Sequence, residues 1–94
     1  MKVQQFANVW DALESSPAEA AIMTARSELM MAVHDAVERW DVTRAKAAKR
    51  LKITETLLND LLKGRISKFN LDTLVKIATR AGLNVTFEIK KKAA

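Results

Sequence analysis

Residues 43–68 carry eight basic side chains, Arg44, Lys46, Lys49, Arg50, Lys52, Lys63, Arg65 and Lys68, against two acidic ones, Glu55 and Asp60. That is a local charge of +6, with Thr43, Thr54, Thr56, Asn59 and Ser67 interleaved among the cations. Cations at this density bind phosphates, and short hydroxyl and amide side chains between them hydrogen-bond the edges of bases. Bond-making chemistry has far less to draw on. The 94 residues include no cysteine and one histidine, His34. Disulfides, thiolate metal sites and cysteine nucleophiles are thereby excluded, and His34, beside Asp35 in the middle of a helical pattern, reads as a structural or surface residue. With no nucleophile–base pair and no metal cluster in view, no catalytic residue, metal ligand or cofactor is expected.

The basicity is confined. Residues 1–42 have a net charge of −4 and residues 69–94 one of +3, the latter largely from Lys90, Lys91 and Lys92, so the overall +5 is a remainder. Charge divided in this way marks segregated binding faces, although solvated helix faces and a solubilising tail produce the same count. A chain of 10.5 kDa allows one small domain with a flanking segment. Two glycines and one proline suit helices and are too few for a β-sandwich. Without a long apolar run or a signal-peptide core, the chain is expected to be soluble and cytoplasmic, with no membrane partner.

Helices must position the basic segment. Phe6, Val9, Trp10 and Leu13 recur at three- and four-residue spacing and predict a short helix over 8–14 within an N-terminal arm, residues 1–16. Ser16, Pro17 and Glu19 form a strong helix start. From 18 to 40, Ile22, Ala25, Leu29, Val33, Ala36, Val37 and Trp40 keep helical spacing, and Met23, Met30 and Met31 read as packing residues. Asp41 suits a left-handed helix end and Thr43 an N-cap. The next helix spans 44–51 with Ala45, Ala48 and Leu51 inward. After the turn Lys52-Ile53-Thr54, a helix capped by Thr54 ends at Lys63 with Gly64 beyond it. Asn70 caps a last helix, 71–81, which Gly82 stops. Two short helices joined by a three-residue turn define a helix-turn-helix, with Leu51, Ile53, Leu58 and Leu61 in the wedge and Phe69 as a core anchor.

Val85, Phe87 and Ile89 alternate with polar residues at the period of a strand. A lone strand is not stable, and the chain holds no second strand signal. The expected partner is the same strand of another copy, which makes residues 17–94 a helix-turn-helix domain with a C-terminal dimerisation strand.

The stretch from Thr43 through Gly64, continued by Gly64-Arg65-Ile66-Ser67-Lys68-Phe69-Asn70-Leu71-Asp72-Thr73-Leu74-Val75 and Ala81-Gly82-Leu83-Asn84-Val85, resembles the Xre/lambda-repressor-like helix-turn-helix regulators. More narrowly it is similar to the HigA-type antitoxins of toxin–antitoxin pairs. The resemblance implies a mainly α fold, a lambda-repressor-like bundle of four to five helices with one C-terminal β-strand pairing across a dimer. It also implies a repressor that binds its own promoter as a dimer and neutralises a RelE/HigB-like ribonuclease toxin. The chain departs from the family pattern at Arg44, where glutamine is usual, at Lys46 for glutamate, at Lys52 for the turn glycine, and at Glu55-Thr56-Leu57 for Gln-Pro-Arg.

On this basis Thr54, Glu55, Thr56, Asn59 and Lys63 are the candidate base contacts, with Asn59 suited to adenine and Glu55 to cytosine. Thr54 and Glu55 have an equally good alternative as a cap and a dipole complement. Arg44, Lys46, Arg65, Ser67 and Lys68 are the candidate phosphate contacts, and Asp60 is expected to face away from DNA. Phe6, Val9, Trp10 and Leu13 are a possible toxin contact, or else pack on the domain or on the other protomer. The expected partners are thus double-stranded DNA with a palindromic operator, a second copy of the chain, and a basic toxin. Two other readings stay open: a protein-interaction module that has lost DNA readout, with Glu55, Leu57 and Asp60 in its favour, and a stand-alone regulator without a toxin.

Overall fold

The computed structural model describes residues 16–91. Four helices occur among them: α1 (Pro17–Trp40), α2 (Arg44–Leu51), α3 (Glu55–Leu62) and α4 (Leu71–Arg80), with a 3-10 turn, Ile66–Lys68, before α4. The expected helix over 8–14, with Phe6, Val9, Trp10 and Leu13, lies outside the described residues.

Each helix begins on a side-chain cap that satisfies an otherwise orphaned amide. Ser16 accepts from the Glu19 amide at 3.1 Å, Thr43 from Lys46 at 3.2 Å, Thr54 from Leu57 at 3.0 Å and Asn70 from Thr73 at 2.7 Å. The ends are equally local. Asp41 closes α1 in the left-handed region, with φ 52°. After α2, α3 and α4 the chain makes the same six-residue closure, Ile53 N–H to Ala48 at 3.0 Å, Arg65 to Asp60 at 2.9 Å and Leu83 to Ala78 at 3.0 Å.

The left-handed residue in the first of these closures is Lys52, with φ 58°. A side chain bearing a Cβ pays for this conformation, whereas glycine at Gly64 (φ 74°) does not. Lys52→Gly is therefore expected to raise stability by ~0.5–1 kcal/mol after the added freedom of the unfolded chain is subtracted. Thermal denaturation of the two proteins side by side checks this, and a lower midpoint for the glycine variant would contradict it.

Among the described residues the core is a single cluster. It joins Met30, Val33, Ala36 and Val37 of α1, Ala47, Ala48 and Leu51 of α2, Leu58 and Leu61 of α3, Phe69, and Leu74, Ile77, Ala78 and Ala81 in and after α4. α1 lies mainly along α4 and also reaches α3. The expected faces need correction at three points. In α2 it is Ala47 that is buried beside Ala48, and Ala45 is exposed, because the helix turns its 47–48–51 edge to α3 and α4. In α1 the buried row is Ala20, Ser27, Met30, Val33, Ala36 and Val37, and Ile22 is 40% exposed. Met31, read as a packing residue, is 55% exposed, one position off that row. Trp40 is half-buried and stacks under the Arg50 guanidinium, 4.0 Å from the ring centroid, which ties the end of α1 to α2.

Residues 83–90 carry no helix or strand assignment. Leu83 and Val85 rest against the core, while Phe87 is 63% and Ile89 95% exposed. A β-ladder requires a second strand, and no strand is paired among the described residues.

Candidate nucleic-acid interface

α2 and α3 meet through Ala47, Ala48, Leu51, Leu58 and Leu61, all almost fully buried. Alanines at the crossing let the two backbones approach, and the leucines fill the angle between them. The Arg80 guanidinium, donating to the Leu51 carbonyl at 3.3 Å, ties the end of α2 to α4. α3 is thus fixed on one side, with Leu58 and Leu61 anchored and its other side free.

That free side carries most of the candidate base contacts. Glu55 and Thr56 are exposed in the first turn, Asn59 is half-buried one turn on, and Lys63 is exposed at the end. Thr56, Asn59 and Lys63 fall at helical spacing and share a face. Thr54 spends its oxygen on the Leu57 amide as the N-cap, and its hydroxyl hydrogen stays available to donate. Glu55 sits in the first turn, where a carboxylate complements the helix dipole.

The flanking cations differ among themselves. Arg44 opens α2 and donates a hydrogen bond to Asn59 Oδ1 across the motif. Lys46, Ser67 and Lys68 are exposed, the last two on the 3-10 turn. Arg65 pairs with Asp60 at 3.2 Å, with side chains 55% and 15% exposed respectively. This pairing holds the Asp60 carboxylate at the base of the loop and leaves part of the Arg65 guanidinium outward. Arg50, one of the eight cations of the segment, is engaged with Trp40 instead. The Arg44–Asn59 bond joins residues fifteen positions apart, and the Arg80 tie spans twenty-nine. Neither has a local sequence signal, because both depend on how the helices cross.

Two short helices crossing through small residues, joined by a tight turn, with the second presenting a polar face ringed by cations, define a helix-turn-helix. A family model described as a helix-turn-helix domain matches residues 12–90, and the chain belongs to that family. Helix-turn-helix domains place their second helix in the major groove of DNA, which marks this chain as a DNA-binding regulator of the Xre-like kind. A comparison with curated proteins gave no match. No helix among the described residues is long and apolar enough to cross a membrane.

Proposed function

We propose that the protein is a sequence-specific transcriptional repressor that binds a palindromic operator as a homodimer. The observation that carries this reading is the outward edge of α3, where Thr56, Asn59 and Lys63 are free of the core while Leu58 and Leu61 anchor the helix behind them. Thr54, Glu55, Thr56, Asn59 and Lys63 meet base edges, and Arg44, Lys46, Arg65, Ser67 and Lys68 hold phosphates on either side. Val85, Phe87 and Ile89 pair with the same segment of a second copy, a role supported by their alternation and by the exposure of Phe87 and Ile89. Two recognition helices then reach successive major grooves ~34 Å apart.

Within this reading the protein is the antitoxin of a toxin–antitoxin pair. Support for that comes from the resemblance to HigA-type antitoxins and from the acidic stretch of residues 1–42, which suits a basic RelE/HigB-like ribonuclease docking on Phe6, Val9, Trp10 and Leu13. A neighbouring gene for a small basic ribonuclease-like protein separates an antitoxin from a stand-alone regulator.

The test is a fluorescence-anisotropy titration of a duplex from the gene's own upstream region against a scrambled duplex, repeated from 50 to 200 mM salt. The upstream duplex should bind ~10³-fold tighter or better. Lys68→Ala and Lys46→Ala should each weaken both duplexes alike and reduce the salt slope by ~1, the signature of one phosphate left without its cation. Equal affinity for the two duplexes would sink the repressor reading. Salt-insensitive or absent binding together with a tight protein complex would favour an interaction module instead.

A further inference from the structure

Resting on the reading of α3 as the recognition helix, we propose that Arg44 and Asn59 act as one unit whose base target is guanine. Arginine carries five donors and no acceptor, so the Asn59 atom that faces Arg44 is the carbonyl oxygen. The orientation of the amide is assigned from this partner, which can only donate. Asn59 is half-buried, on a helix anchored behind it by the fully buried Leu58. Its NH2 group makes no hydrogen bond among the described residues and stays available to donate.

An asparagine reads adenine by donating to N7 while accepting from the N6 amino group. Here one of the oxygen's two lone pairs is taken by Arg44, and the positive charge of that guanidinium disfavours a second N–H approaching the other. The favoured contacts of the unit are therefore donors, the amide NH2 and the remaining guanidinium N–H bonds. Among the four major-groove edges, guanine presents two adjacent acceptors, O6 and N7, and no donor at that place. Thymine offers one acceptor beside a methyl group, and adenine pairs its acceptor with a donor. Arg44 is accordingly a positioning residue for specificity as well as a cation near the backbone.

The experiment is enrichment of duplexes from a random-core library by the full chain and by three variants, with helicity measured by circular dichroism. Asn59→Ala identifies the position read by Asn59 as the one whose preference disappears. In the unaltered protein that position should hold guanine over adenine by ~10-fold or more. Arg44→Ala, which frees the oxygen, should move that position toward adenine and leave the other positions as they were. Asn59→Asp keeps a partner for Arg44 but removes the NH2, and should abolish the guanine preference. Adenine at that position in the unaltered protein would overturn the inference alone. So would an Arg44→Ala protein that binds all sequences equally more weakly, since that is the behaviour of a phosphate contact. Failure of the unaltered chain to enrich any sequence would overturn the repressor reading and this inference together.

Discussion

Leu51→Ala is expected to destabilise the domain by about 2–5 kcal/mol. Leu51 is completely buried where α2, α3 and α4 converge, so its removal deletes apolar contacts and leaves a void that three helices must close on. Its backbone carbonyl, which receives Arg80, stays in place, and the loss is one of packing. A single small domain has little stability to spare, typically of order 5 kcal/mol at this size. Urea denaturation followed by circular dichroism should give a midpoint far below that of the parent, or no folded baseline at all. Leu51→Met, which nearly conserves volume, should cost less than ~1.5 kcal/mol. A fully cooperative Leu51→Ala protein within about 1 kcal/mol of the parent would contradict the packing role of the wedge.

Phe87→Asp should have the opposite profile, a large effect on assembly and a small one on the fold. At 63% exposure Phe87 contributes little to a single chain, and a surface substitution normally stays within ~0.5 kcal/mol. In a ribbon formed with a second copy, the same change sets a carboxylate inside an apolar face next to its own symmetry mate. Sedimentation equilibrium should then report a monomer. Losing the linkage between two half-site contacts should lower operator affinity by ~10²–10⁴-fold, while affinity for a single half-site is retained. A Phe87→Asp protein that sediments like its parent would remove residues 85–89 from the interface.

The helix boundaries are legible in the sequence because their causes are local. Ser16, Thr43, Thr54 and Asn70 each cap the helix their position announces, and Asp41, Lys52, Gly64 and Gly82 each take the positive φ that ends one. The inward face of α2 is not legible. With alanine at 45, 47 and 48, the helix offers too little apolar contrast to say which edge is buried, and tertiary packing selects 47. The same weakness lets Ile22 and Met31 pass as core residues on a long helix whose buried row is built partly from Ala20 and Ser27. At the interface, residue types are readable and their partners are not. Nothing near Arg44 announces Asn59, and nothing near Arg65 separates a free phosphate ligand from the partner of Asp60. The alternation of Val85, Phe87 and Ile89 is likewise a local property, whereas pairing belongs to two chains.

Entry of the outward edge of α3 into the major groove is tested most directly by amide chemical-shift mapping of the nitrogen-15-labelled protein during titration with the upstream duplex. The largest shifts are expected at Thr54, Glu55, Thr56 and Asn59, with Arg44, Ser67 and Lys68 around them, and little change along the exposed side of α1 at Glu28, Met31 and Asp35. Shifts centred on α1, or none at α3 under saturating duplex, would contradict it.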